Sequence, residues 1–127
     1  MSTASEYFEK LQAALDEAAT HSQRLYRLLA EPWDELGKPT FFALPHARAL
    51  LSADLRNAAD AAELLGDELG DIRWTAVVAL LHRGSTCVSE ATPWDMSQLT
   101  GLLDRLKTRV VQLRNARSSS QPRVSLS

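Results

Sequence analysis

Leu51-Ser52-Ala53-Asp54-Leu55-Arg56-Asn57-Ala58-Ala59-Asp60-Ala61-Ala62-Glu63-Leu64-Leu65-Gly66-Asp67-Glu68-Leu69-Gly70-Asp71-Ile72-Arg73-Trp74-Thr75-Ala76-Val77-Val78-Ala79-Leu80-Leu81-His82-Arg83 carries an apolar residue at every 4-3-4-3 step. Leu51, Leu55, Ala58, Ala62, Leu65, Leu69, Ile72, Ala76 and Ala79 fall on that rhythm. Residues so spaced share one side of a helix, and such a stripe requires a helical partner to cover it. Two further segments repeat the rhythm. Phe8, Leu11, Leu15, Ala18, Ser22, Leu25 and Leu29 form the first, flanked by Tyr7, Ala14, His21 and Leu28. Leu99, Leu103, Leu106, Val110 and Leu113 form the last, with Leu102 beside it. No segment reads as a strand. The expected fold is an all-α antiparallel bundle of three long or four helices.

Punctuation sets the boundaries. Thr3 and Glu6 have capping-box spacing, which predicts a helix start near Thr3 or Ser5. Pro32 ends that helix, because proline lacks an N–H and disfavours helical geometry in the residue before it. Residues 32–45 form a connector marked by Pro32, Gly37, Pro39 and Pro45. Its apolar members Trp33, Leu36, Phe41, Phe42 and Leu44 predict that it folds back over one end of the bundle. Pro45 suits the first turn of the next helix.

Gly66 and Gly70 pose the central question. Either glycine can close a helix in a left-handed cap, with Asp71 opening the next. The seam keeps its phase across both, and two internal glycines cost only about 2 kcal/mol. One helix over 46–83 would be about 57 Å long, against about 39 Å for the first, leaving apolar surface for a second copy to cover. A break at Gly70 gives a four-helix monomer, and the reading favours a break or sharp kink near Gly66–Gly70. Ile72–Leu81 is apolar nearly all round, which places it at a bundle centre or in an interface. Gly84 is expected to end this helix, and 84–92 to form a loop. Thr92 is the expected N-cap of the last helix, with Pro93 first and Asp95 near the positive end of its dipole. The domain is expected to span 1–117, with 118–127 a flexible Ser-rich tail.

Composition narrows the function classes. The chain has 127 residues, 45% of them hydrophobic and 24% charged, enough for one self-sufficient core. The single Cys87 excludes an internal disulfide framework and a multi-cysteine zinc site, and fits a reducing cytoplasm. The N-terminus lacks a basic region followed by an apolar run, so it does not read as a secretory signal. The longest strongly apolar window, Trp74–Leu81, is far short of a membrane span. The net charge of −2 is uneven: residues 93–127 hold 2 acids against 6 bases, and the rest of the chain 14 against 8. Such halves attract each other, another subunit or an anionic partner.

Chemical motifs are scarce. None of His21, His46 and His82 lies in a Glu-x-x-His or His-x-x-x-His pair, so a di-metal bundle site is not indicated. Glu17 and His21 are spaced as a boundary ion pair. Asp60, Glu63 and Asp67 read as a solvated face rather than an acid–base site. Cys87 and His82 lack a third orienting group. Ser85 has no nucleophile elbow, and the glycines match no phosphate loop. No enzyme, cofactor or metal is expected. Arg105, Lys107, Arg109, Arg114, Arg117 and Arg123 spread around the last helix without interleaved aromatics.

Gly70–Leu81, with the Ala-rich helix before it and Pro39-Thr40-Phe41-Phe42, resembles small helical bacterial proteins grouped as a domain of unknown function. The resemblance covers most of the chain. It implies a bacterial, non-secreted setting and no catalytic or binding residues.

The expectation is a non-enzymatic helical protein–protein interaction protein: an adaptor, regulator or assembly subunit with an unidentified protein partner, and a candidate homo-oligomer. Leu65, Leu69, Ile72, Trp74, Val78 and Leu81 are the candidate association residues. The alternative is a nucleic-acid-associated regulator whose anion contacts are Arg105, Arg109 and Arg117.

Overall fold

A computed structural model describes residues 3–31 and 36–126, with side chains for all of these except Phe41 and residues 117–126. Among the described residues the chain is an all-α bundle of four helices: α1 Thr3–Ala30, α2 Leu44–Leu69, α3 Arg73–Cys87 and α4 Pro93–Leu126. Short 3-10 turns at Thr40–Ala43 and Val88–Glu90 precede α2 and α4. Successive helices run antiparallel. Ser52 Oγ and Ser85 Oγ lie 3.0 Å apart near one end of α2 and α3, and Gly66 meets Trp74 near the other. Across α1 and α4, Ser22 faces Thr100 at 3.0 Å, Asp16 pairs with Lys107 at 2.8 Å, and Gln12 receives Arg114 at 3.4 Å.

The seams read from sequence line the core in three helices. Phe8, Leu11, Leu15, Ala18, Ser22 and Leu25 of α1 are buried, as are Leu51, Leu55, Ala58, Ala62 and Leu65 of α2. Leu103, Leu106, Val110 and Leu113 of α4 join them, with Met96 one turn earlier than Leu99. Phe8 meets Trp74 edge-on at 5.6 Å between centroids, and the Arg114 guanidinium lies 5.3 Å from the Phe8 centroid. Trp74 is buried, and its Nε1 has no hydrogen-bond partner among the described residues.

The central break falls at Gly70. Its φ of +60° is left-handed. The Asp71 N–H donates to Gly66 O at 3.2 Å and the Gly70 N–H to Asp67 O at 3.4 Å. This pair of bonds is a Schellman close, which satisfies carbonyls that the helix end would otherwise leave open. Asp71 then accepts the Arg73 N–H at 3.0 Å and pairs with its guanidinium at 2.7 Å, fixing the first turn of α3. Hydrogen bonding to Arg73 holds the Asp71 carboxyl below the usual carboxylate range.

The reversal resets the phase of the seam. Trp74, Val77, Leu81 and Ser85 are the buried positions of α3, while Ile72, Ala76 and Ala79 are exposed. Continuity of the 4-3-4-3 pattern across Gly70 is therefore a coincidence of spacing, since only an unbroken helix carries phase forward. Gly84 does not end α3 either: the helix continues to Cys87. A Cβ at Gly84 would lie 3.5 Å from both Leu55 and Leu99, so this glycine sits at a close three-helix approach.

The ends are tied by polar side chains. Thr40 Oγ1 donates toward Leu28 O at 3.0 Å and Glu31 O at 2.8 Å, so a hydroxyl ties the connector to the end of α1, while its apolar Leu36 and Phe42, 82% and 74% exposed, do not cover the bundle end as expected. Trp33 lies outside the described residues. Arg48 of α2 donates to Val88 O and Ala91 O, holding the turn between α3 and α4. Pro45 sits in the first turn of α2. Thr92 and Asp95 form the expected N-terminal cap of α4: the Asp95 carboxylate accepts the Thr92 N–H at 2.9 Å, and the Asp95 N–H donates to Thr92 Oγ1 at 3.3 Å. The helix of α1 already includes Thr3, and its cap lies outside the described residues. The α4 backbone stays helical through the Ser-rich stretch as far as Leu126.

Candidate interaction surface

α1 packs on α2 and α4, and α2 packs on α3, but α3 and α4 stand apart along most of their length. They approach where Gly84 faces Leu99. Elsewhere an open groove of about 560 Å³ lies between them, with half-buried Leu80, Leu99 and Leu102 along its floor. Trp94, 70% exposed, stands at one end. Toward the other end α4 lines the groove from Leu102 to Gln112, while α3 contributes only Leu80. Arg83, Arg105 and Arg109 border it and are exposed. The Asp95 carboxylate also reaches it but is engaged by Thr92, whose backbone and hydroxyl bonds hold its pKa below the usual range.

The other flank of α3 has the opposite character. Glu63 and Asp67 of α2 line that groove with Asp71, Ile72, Val78 and His82. The acidic triplet read from sequence is thus divided, for Asp60 instead lines the cleft between α1 and α2. Among the described residues no group of three His, Cys, Asp or Glu side chains is placed to hold a metal ion. Cys87 and His82 fall on different flanks of α3, Cys87 facing the groove with α4 and His82 the groove with α2. They do not form a pair.

Of the six candidate association residues, Leu65, Trp74 and Leu81 are at most 1% exposed. Their surface is consumed inside one molecule, which removes them as contacts with another. Leu69 and Val78 are half-buried against the core. Ile72, 86% exposed, is the large apolar side chain of the set that reaches solvent. Sequence left these residues open between core and interface, because an all-round apolar helix reads equally as either. Of the anion-contact candidates, Arg105 and Arg109 lie along the α3–α4 groove. The Arg117 side chain lies outside the described residues.

Sequence reasoning missed two features. His21 Nδ1 bonds Asp54 Oδ2 across α1 and α2, not Glu17 on its own helix. Asp54 is buried at 6% exposure, so the pair places a polar contact inside the α1–α2 seam. The signal was present: Asp54 lies three residues after Leu51 and four before Ala58, in core phase. The Ser22 hydroxyl is engaged with Thr100 on α4. The second missed feature is the gap between α3 and α4, which depends on helix separation rather than pattern. The chain matches no family model, no curated protein and no solved structure.

Proposed function

We propose that this protein is a non-enzymatic helical interaction module, an adaptor, regulator or assembly subunit whose working face is formed by α3 and α4. The observation that carries the reading is the open α3–α4 seam, with an apolar floor of Leu80, Leu99 and Leu102 and an exposed Trp94 at its mouth. An exposed aromatic beside apolar side chains is the composition that protein interfaces concentrate. The unpaired Cys87 favours action in a reducing compartment. No helix among the described residues is long and apolar enough to cross a membrane.

Site-specific photo-crosslinking in native cells tests this. A crosslinker at exposed Gln98, in the groove, should give a discrete protein adduct that survives nuclease treatment. The same group at Glu9, exposed on α1, should not. Equal labelling from both positions, or none from Gln98, refutes the reading. A nucleic-acid-associated role is the second reading, supported by Trp94 lining the same groove as Arg83 and Arg105. It requires oligonucleotide binding that weakens steeply between 50 and 200 mM salt, roughly in proportion to the phosphates contacted.

A further inference from the structure

We infer that this chain can exchange its α3–α4 half with a second copy, opening at Gly70 into a two-fold dimer in which α2 and α3 form one continuous helix. The division of the packing is the first ground. α1 and α2 pack on each other, α3 lies on α2 and α4 on α1, while α3 and α4 stand apart along most of their length. The molecule is thus two halves joined at residues 70–72. Contacts between the halves, such as Phe8–Trp74, Ser52–Ser85 and Ser22–Thr100, are the same whichever copy supplies the second half. Direction also suits the exchange. Two straightened helices laid antiparallel about a dyad near Gly70 set each α3 on the other copy's α2, running as it already runs. Trp74 and Leu81 meet a second copy only when the molecule opens in this way. The α3–α4 groove stays within one chain in both forms, so the exchange neither needs nor removes the working face.

The junction is the second ground. Three residues separate Leu69 from Arg73. Gly70 is the one among them with positive φ, and Ile72 is already right-handed at φ −68° and ψ −16°. No proline stands between Pro45 and Pro93. The left-handed turn at Gly70 is therefore the backbone feature that straightening must undo. Straightening also swaps acceptors rather than losing bonds: the Gly70 N–H passes from Asp67 O to Gly66 O, and the Asp71 N–H from Gly66 O to Asp67 O. Core contacts cancel between the two forms, so the junction and the chain concentration set the balance. Glycine favours the closed form, because a left-handed φ costs it nothing and costs alanine a clash. Alanine also favours continuous helix.

Gly70→Ala is accordingly expected to shift the balance toward the open form by roughly thirtyfold per chain, or about a thousandfold in the dimerisation constant. Light scattering should then find a doubled mass where the parent chain is monomeric. Gly70→Asn, which tolerates a left-handed φ, should behave as the parent does. A cysteine pair identifies the exchange. With Cys87→Ser removing the exposed thiol, Ser52→Cys and Ser85→Cys place two thiols where the hydroxyls lie 3.0 Å apart. After dilution and oxidation, closed molecules give single chains on a non-reducing gel, and so does a dimer of closed molecules docked face to face. Exchanged dimers give covalent dimers. The expected result is covalent dimer from the Gly70→Ala background and single chains from the Gly70→Asn background. A Gly70→Ala chain that stays monomeric up to millimolar concentration, or a dimer that yields single chains, overturns the proposal. Should Gly70→Ala fail to fold, the cysteine-pair chain with Gly70 intact is refolded from urea at micromolar and at millimolar concentration. Covalent dimer that rises with concentration supports the exchange, and its absence at both concentrations overturns it.

Discussion

At Gly66, one absent methyl group sets how closely two helices approach. A Cβ there would stand 2.9 Å from the Trp74 Cβ, a separation real side chains do not tolerate. Alanine favours a helix by about 1 kcal/mol over glycine, but forcing α2 and α3 apart costs about 1–3 kcal/mol. Gly66→Ala is therefore expected to lower stability in urea unfolding. Gly101→Ala supplies the contrast: nothing lies within 4 Å of its Cβ, so it should gain about 0.5–1 kcal/mol. Destabilisation at both glycines would show that Gly66 is not a packing constraint. The His21–Asp54 pair makes a second residue-level case. His21→Ala strands a buried carboxylate and should cost about 1–3 kcal/mol. His21→Ala with Asp54→Ala should recover part of that loss, giving a coupling energy near or above about 1 kcal/mol in a double-mutant cycle. Sequence spacing pointed to Glu17 because it sees only neighbours on one helix. The true partner is 33 residues away and became adjacent through the α1–α2 register.

At the scale of elements, legibility followed whether a helix was interrupted. The seams of α1 and α4 and the seam of α2 up to Leu65 point inward as their 4-3-4-3 spacing predicts, because each lies within one unbroken helix. The cap of α4 was equally legible, since Thr92-Pro93-Trp94-Asp95 places a hydroxyl, a proline and a carboxylate where an N-terminus uses them. The phase of α3 was not. The reversal at Gly70 turns the chain by an amount no linear pattern encodes, so Ile72, Ala76 and Ala79 face out and Trp74, Val77 and Leu81 face in. The capping contacts also give the helix starts a pH response. Asp95 and Asp71 are both held below the usual carboxylate range, Asp95 first by the Thr92 N–H and Asp71 first by the Arg73 side chain. A carboxyl whose folded pKa is depressed stabilises the fold above its unfolded pKa, and that contribution vanishes as pH falls through the folded value. Melting temperature should thus drop on the acid side, between about pH 5 and pH 2. Asp95→Asn should start lower at neutral pH and fall less steeply over that window. A variant whose acid limb parallels the parent protein would show that the cap carboxylate does not contribute.

Over the whole molecule, the register of α1 against α4 decides how much chain the bundle needs. Ser22 opposite Thr100, Asp16 opposite Lys107 and Gln12 opposite Arg114 bring the start of α1, at Thr3, level with about residue 120 of α4. The last buried seam residue described in α4 is Leu113, well inside that limit. Helix beyond the end of its neighbour has nothing to bury an apolar stripe against, and Ser-Ser-Ser-Gln-Pro offers no such stripe. Pro122 also removes a backbone donor from the helix. Removing residues 119–127 should therefore leave the urea midpoint and the melting temperature where they are. Ending the chain after Asp104 removes Leu106, Val110 and Leu113, three side chains worth about 1.5–3 kcal/mol each when fully buried. A loss of that size is comparable to the total stability of a small domain, so this second truncation should not fold cooperatively. If instead the shorter cut already lowers the midpoint, the final turns of α4 are covered by a surface that the antiparallel register alone does not provide, and the domain extends past residue 117.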